Sequence, residues 1–297
     1  MRCGIVAIVG RANVGKSTLL NRILGEKVSI VSPVAQTTRG LIRGILTEPR
    51  GQLVFLDTPG VHRASYDLGR LMNRIARASV EGVDVALLVL EASRAPREED
   101  EGWMRRLLRA DAPCVALLNK SDLGLKHARE YEALWSRLGA GKGLSKTAIW
   151  MSASAQTGEG VEALVDTLFR SMPESPGLFP EDVLTDYPRK LAVADIVREK
   201  YFAVLRDELP HALAIEIERI VEAGDRWTAR GTVFVQKHSQ KGIVLGKDAR
   251  LLKQVRRQAE EELKELFGRP VSLELWVKVH KDWSRNFWML KRLGYAG

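Results

Sequence analysis

The sequence predicts a three-layer α/β domain followed by a smaller α+β domain. Three observations carry the prediction. Up to about Ser171, short apolar runs alternate with amphipathic stretches. Residues 171–188 then bring four prolines into eighteen positions, where regular structure should stop. Beyond them the order of elements changes to helix, two strands, helix and strand.

The runs "GIVAIV" (4–9), "QLVFLD" (52–57), "VALLVLE" (85–91), "PCVALLN" (113–119) and "AIWMSA" (148–153) are six or seven residues long and mostly rich in Val, Ile and Leu. They lack polar alternation, as parallel strands covered on both faces should. Helices are expected at 67–81 and 160–170, and a doubly wound sheet of this kind binds ligands at the carboxyl ends of its strands. The predicted divisions are a first domain at 1–171, a linker at 172–188 and a second domain at 189–297. In the second domain the pattern predicts a helix at 189–208, strands at 211–220 and 227–236, a helix at 249–267 and a strand at 271–279. A short terminal helix is expected, N-capped by Asp282 or Ser284.

Composition narrows the class. A chain of 297 residues with 45% hydrophobic content can bury a sizeable core. No run of 18 apolar residues occurs, and the start "MRCGIVAIVG" lacks a signal-peptide cleavage pattern, which predicts a cytoplasmic protein. Cys3 and Cys114 lie in or beside apolar runs and are expected as buried free thiols, and the five histidines show no metal-ligand spacing. The net charge of +9 favours a polyanionic partner. It concentrates at 236–257, with seven Lys or Arg against one Asp, and at 278–292, with five against one.

Gly10-Arg11-Ala12-Asn13-Val14-Gly15-Lys16-Ser17 fits G-x-x-x-x-G-K-[ST] between an expected strand and helix. Backbone N–H groups at a helix N-terminus point at phosphates, Lys16 would neutralise their oxygens, and the Ser17 hydroxyl would ligate Mg²⁺, with Thr18 following. "VFLDTPG" ends the next expected strand with Asp57, Thr58, Pro59 and Gly60, ahead of Val61. Asp57 is placed to hold Mg²⁺ through water and the Gly60 N–H to meet a γ-phosphate. In "LLNKSD" (Asn119, Lys120, Ser121 and Asp122 at its end) the Asp122 carboxylate can accept from guanine N1–H and its exocyclic amine together, a donor pair that adenine lacks. "SASAQTG" is expected to add contacts to the base through the backbone of Ser152 and Ala153. These four motifs in order predict GTP and GDP as ligands on a Ras-like, P-loop NTPase fold.

A GTPase also needs a segment that closes on Mg²⁺ and the γ-phosphate. "SIVSPVAQTTRGLIRG" offers Thr37 and Thr38, and Thr38 is the expected ligand beside Ser17 and Asp57. The second switch is expected at 61–69. Val61 and His62 stand where Ras-type enzymes carry a water-orienting glutamine, and no arginine finger is evident. Slow intrinsic hydrolysis, accelerated by a partner or cation, is the expectation.

"GRANVGKST", "AQTTR", "DTPG", "NKSD" and "SAS" resemble the bacterial Era-type GTPases. The linker, the second module and the ending "PVSLELWVKVHKDWSRNFWMLKRLGYAG" resemble that family's type II KH domain, so the resemblance covers essentially the whole chain. It implies binding near the 3′ end of small-subunit ribosomal RNA, a role in maturation of the small ribosomal subunit, and peripheral contact with the cytoplasmic face of the inner membrane by a monomer. It further implies that Asn13 works with a potassium ion, which would join Lys16, Thr38, Asp57 and Gly60 in catalysis.

The residues lend the KH reading support of their own. In "GIVLGKDARLLKQVRRQ" a glycine turn opens a helix, and turn and helix carry Lys247, Arg250, Lys253, Arg256 and Arg257, placed for a nucleotide backbone. The loop departs from G-x-x-G: it reads Gly246-Lys247-Asp248-Ala249, and the Ala Cβ crowds an approaching phosphate and disfavours positive φ. Two functions therefore stand: a GTP-switched RNA-binding assembly factor using 246–257, or a GTPase whose C-terminal domain docks to a protein or membrane and has lost RNA binding.

Overall fold

The computed structural model describes residues 1–32, 34, 37–60, 67–141 and 146–295. They divide into two units, Met1–Ser29 with Thr38–Ala64 and Met72–Asp186, and Ile30–Thr37 with Ser65–Leu71 and Tyr187–Gly297.

In chain order the first stretch forms β1 (Arg2–Val9), α1 (Lys16–Leu24), β2 (Ile42–Glu48), β3 (Gly51–Asp57), α2 (Asp67–Ala78), β4 (Val85–Glu91), α3 (Glu98–Leu107), β5 (Cys114–Asn119), α4 (Ala128–Ala140), β6 (Ala148–Ser152) and α5 (Val161–Ser171). The sheet runs β2-β3-β1-β4-β5-β6. Alternate residues of one strand enter opposite cores. Val6, Ile8, Leu87 and Val89 pack with Leu19, Leu20, Leu164 and Leu168 on one face. Ala7, Val9, Ala86 and Leu88 pack with Trp103, Met104, Tyr131 and Leu134 on the other. Two covered faces are why these strands read as unbroken apolar runs.

One strand departs from the expectation of an all-parallel sheet. β2 is antiparallel to β3 and forms the edge; its first three residues close the segment read as a switch, and the sequence reading assigns no element to the rest. Its alternation is hidden by Gly44 and by a half-buried C-terminal half, so period-2 patterning could not reveal it. From Met172 to Pro188 there is no helix or strand beyond a single bridge from Arg2 to Glu174. The stretch is nevertheless tied to the sheet, because Gln52 Oε1 accepts from the N–H groups of Leu178 (2.8 Å) and Phe179 (2.9 Å) and the Ile45 N–H donates to the Leu184 carbonyl at 2.8 Å.

The second unit contains α6 (Arg189–Val204), α7 (Leu209–Ala212), β7 (Ala214–Ala223), β8 (Arg226–Val235), α8 (His238–Leu245), α9 (Arg250–Phe267), β9 (Val271–Val279) and α10 (Phe287–Arg292). β7 pairs antiparallel with β8, which pairs parallel with β9. Val197 and Tyr201 of α6 and Val255, Ala259 and Leu263 of α9 bury against Ile215, Ala229, Val233, Leu273 and Val277, together with Ile30. The buried Arg198 bonds Asp195 Oδ1 at 2.8 Å, the Tyr295 hydroxyl at 3.0 Å and the Thr37 carbonyl at 2.7 Å. The expected helix at 189–208 stops at Val204, and α8 was not foreseen. The cap of α10 is neither Asp282 nor Ser284: Asn286 Oδ1 accepts from the Met289 N–H at 3.0 Å, while Asp282 sits at φ 52° ahead of a separate 3-10 turn that contains Ser284.

Cys3 and Cys114 are buried free thiols, and burial pushes the Cys114 thiol up to about 12. Among the described residues no helix is long and apolar enough to cross a membrane.

Candidate nucleotide and nucleic-acid sites

The phosphate loop follows β1, and its G-x-x-x-x-G-K-S spacing is realised as a turn ending at Lys16, the first residue of α1. The Lys16 ammonium is buried and donates to the carbonyls of Gly10 (3.2 Å) and Arg11 (2.9 Å). Burial lowers its pKa to about 8, opposed by the Asp57 charge. A phosphate bound against Lys16 would favour the charged form, so binding near that pH would take up a proton and affinity would fall as pH rises through about 8. Raising the pH from 7 to 9 should weaken GDP by about tenfold, and titration calorimetry in buffers of different ionisation enthalpy reads the proton directly.

Asp57 ends β3 fully buried. Its Oδ2 accepts from Ser17 Oγ at 2.7 Å and Ser29 Oγ at 2.9 Å, while Oδ1 is buried with no partner among the described residues. The Ser17 and Thr38 hydroxyls lie 3.1 Å apart. An all-oxygen donor set with an orphaned carboxylate oxygen fits Mg²⁺, a hard cation that keeps several waters, and Ser17, Thr38 and Asp57 could hold it. Thr37 is turned elsewhere: its hydroxyl donates to the Val34 carbonyl at 2.7 Å. Ser29 was missed by the sequence reading, since a lone serine outside any motif carries no signal. The Thr58 hydroxyl donates to the Ile8 carbonyl at 2.9 Å, pinning the turn after β3 to β1. A Cβ on Gly60 would lie 2.6 Å from Ala12 Cα and 2.7 Å from Ala12 N, so only glycine lets this turn approach the phosphate loop. Val61, His62 and the rest of the second switch up to residue 66 lie outside the described residues.

On the base side, buried Asn119 ties two loops together. Its Nδ2 donates to the Val14 carbonyl at 2.7 Å and its Oδ1 accepts from the Ala155 N–H at 3.0 Å. Lys120 Nζ donates to the Asn13 carbonyl at 2.9 Å. Ser121 and the exposed Asp122 form a short 3-10 turn, and Ser154 Oγ donates to Asp122 Oδ1 at 2.5 Å. The backbone expected to meet the base is engaged within the fold. The Ala153 N–H donates to the Leu118 carbonyl and its own carbonyl accepts from Ser121, and Ser152 closes β6. The residues that reach Asn119 and Asp122 are Ser154 and Ala155, two positions later, because β6 runs on through Ser152 before the loop begins.

In the second unit, α8 and α9 are joined by the basic loop. Gly246 has φ 69°, and a Cβ there would meet Leu251 at 2.8 Å. Asp248 (φ 53°) and Ala249 (φ 56°) are left-handed. Ala249 thus holds the conformation for which glycine is favoured, at a cost of about 1–2 kcal/mol. Replacing Ala249 with Gly should stabilise the chain by about 1 kcal/mol, seen as a higher urea midpoint at constant m-value. Lys247, Arg250, Lys253, Arg256 and Arg257 are all exposed, as is Ile243 of α8. Arg256 and Arg257 pair at 3.8 Å with Glu260 and Glu261 on their own helix, and Arg250 lies 4.0 Å from Asp248.

Sheet order, phosphate loop and guanine-type loop define a P-loop GTPase domain, and the second unit defines a KH domain. Family models agree: one described as "50S ribosome-binding GTPase" matches residues 5–120, and one described as "KH domain" matches 208–284. The chain is 43% identical to GTPase Era of Geotalea uraniireducens over 295 residues, covering 99% of this chain and 98% of that protein. It is 42% identical to GTPase Era of Geobacter metallireducens over 297 residues, with the same coverage. Among solved structures, Aquifex aeolicus Era bound to GDP and AlF4⁻ superposes with a TM-score of 0.91 at 37% identity, each chain covered fully. Era in complex with MgGDPNP and nucleotides 1506–1542 of 16S ribosomal RNA gives 0.90 at 38%, again with full coverage. The chain belongs to the Era family of GTPases.

Proposed function

We propose that this GTPase binds GTP with Mg²⁺ through the residues assembled above and, in a state set by the nucleotide, binds single-stranded RNA at the 3′ end of small-subunit ribosomal RNA during maturation of the small subunit. The observation that carries the RNA half is Ala249 at φ 56°: the chain keeps a left-handed turn at the end of its G-x-x-A loop, and Lys247 and Lys253 beside it are exposed to a nucleotide backbone. A structurally similar Era bound to MgGDPNP and 16S ribosomal RNA supports the same reading. It favours RNA over a domain that has lost RNA binding. The proposal further places the chain in the cytoplasm as a monomer with peripheral contact at the inner membrane.

Lys16 would neutralise the β/γ phosphates, Asp57, Ser17 and Thr38 would hold Mg²⁺, and the Gly60 N–H would bind the γ-phosphate. Asn13 would position a potassium ion, and equal turnover in KCl and NaCl at matched ionic strength would remove that element. RNA binding is tested by titrating a labelled oligonucleotide matching the small-subunit RNA 3′ end against protein with GDP or a non-hydrolysable GTP analogue. Saturable binding, tighter with the analogue, weakened in Lys247→Ala/Lys253→Ala and falling with salt at a slope of about −0.7 per neutralised phosphate, is expected. Linkage then requires RNA to tighten GTP by the same factor. No binding in either nucleotide state overturns the RNA half of the proposal.

A further inference from the structure

A buried charged network stands behind the nucleotide site, and neither of its carboxylates belongs to a motif. Glu91 ends β4 with 3% of its surface exposed, and Asp100 in the first turn of α3 is fully buried. Glu91 Oε2 accepts from Arg11 at 2.7 Å, and Glu91 Oε1 lies 3.2 Å from Lys120 Nζ and 3.3 Å from Arg94. Arg11 reaches on to Asp100 Oδ2 at 3.2 Å, which also accepts from the Arg97 N–H at 3.0 Å and the Tyr131 hydroxyl at 3.4 Å. Arg11 lies in the phosphate loop and Lys120 in the base loop, and Lys120 also bonds the Asn13 carbonyl. The phosphate loop is therefore held twice, and both ties lead to Glu91.

We propose that Glu91 is a positioning residue that joins phosphate and guanine recognition into one cooperative unit, so that each loop is ordered before the nucleotide arrives. The inference rests on the nucleotide reading above. A buried carboxylate that Arg11 and Lys120 share, with the exposed Arg94 beside it, fixes the Arg11 and Lys120 side chains, since moving either one leaves charge uncompensated in a poorly solvated site. The two cations hold Glu91 in its charged form, against the opposing effect of burial. Among the described residues the Glu91 carboxylate meets Arg11, Ser93, Arg94 and Lys120, and neither Lys16 nor the Ser17, Thr38 and Asp57 cluster. Its loss should therefore raise the cost of ordering the loops on binding and leave the chemical step alone.

The test uses the full chain with Glu91→Gln, which keeps the shape but removes the charge, and Glu91→Asp, whose shorter carboxylate cannot span Arg11 and Lys120 together. For both, GDP affinity should fall about tenfold through faster dissociation, with kcat at saturating GTP within twofold of the parent. Glu91→Gln/Lys120→Ala should lose less GDP affinity than the product of the two single losses, because Lys120→Ala already removes one of the two ties that Glu91 makes while the Arg11 tie remains to be lost. Circular dichroism reports folding of each variant, and if Glu91→Gln does not fold, Glu91→Asp decides alone. Unchanged GDP affinity, equal losses of kcat and kcat/KM, or a fully multiplicative double variant each overturns the role assigned to Glu91. Failure of the nucleotide reading itself would look different: the unsubstituted chain would not bind GDP.

Discussion

Replacing Asp122 with Asn should turn the protein from guanine to xanthine nucleotides. Asp122 sits exposed on the turn after β5, with one carboxylate oxygen held by the Ser154 hydroxyl. That bond fixes the carboxylate's orientation before the base arrives. A carboxylate accepts from both guanine N1–H and the exocyclic amine, and hydrogen bonds to a charged group are worth about 1.5–3 kcal/mol each. Asn keeps one oxygen to accept from N1–H but sets a donor against the exocyclic amine, so losing the charge and one bond predicts a fall in GTP affinity of about 10–10³-fold. The Asn amide offers a donor to the carbonyl that xanthine carries in place of the amine, so the same substitution should strengthen XTP. The ratio of kcat/KM for GTP and XTP reads the outcome, and an unchanged ratio removes Asp122 from the base site.

Gly60→Ala is expected to cost more in hydrolysis than in folding. The added methyl would lie 2.6 Å from Ala12 Cα and 2.7 Å from Ala12 N, and both are backbone atoms of the phosphate loop that cannot swing aside. Either the loop or the turn after β3 must give way, which moves the Gly60 N–H away from the proposed γ-phosphate position. Removing one preorganised donor to developing charge lowers kcat by about 10²–10³-fold. GDP has no γ-phosphate, so its affinity should fall far less than that of a GTP analogue. Single-turnover hydrolysis beside equilibrium binding of GDP and the analogue separates the two effects. Equal losses for both nucleotides would show that the methyl damages the phosphate loop as a whole.

How far the sequence could be read depended on whether a feature is local. The phosphate loop, Asp57, Asn119 and Asp122 were legible because each group lies within a few residues of the strand end that presents it. β9 was found to the residue because its alternating apolar and polar residues are bounded by Pro270 and His280, and the parallel strands of the first domain were found because two covered faces leave no polar interruption. β2 was missed because an antiparallel edge strand interrupted by Gly44 has no clear period of its own. The GTPase and KH character of the chain therefore follows from sequence, since chemistry at a strand end or a loop needs only the right residues in the right order.

Partners distant along the chain were settled only by tertiary structure. Ser154 rather than Ser152 meets Asp122: Ser-Ala occurs twice in succession in "SASAQTG", and only the fold shows that the first copy closes β6 while the second reaches the base loop. Ser29 reaches Asp57 across 28 positions, and Arg11 joins Glu91 and Asp100 across 80 and 89, separations at which single-residue patterning carries no signal. Ala249 is the clearest case. From sequence its Cβ argues against a left-handed turn, but packing of α8 and α9 around Val244 and Val255 holds φ at 56°. The residue's own preference is worth about 1–2 kcal/mol, and a buried core of many side chains, each contributing about 1.5–3 kcal/mol, overrides it.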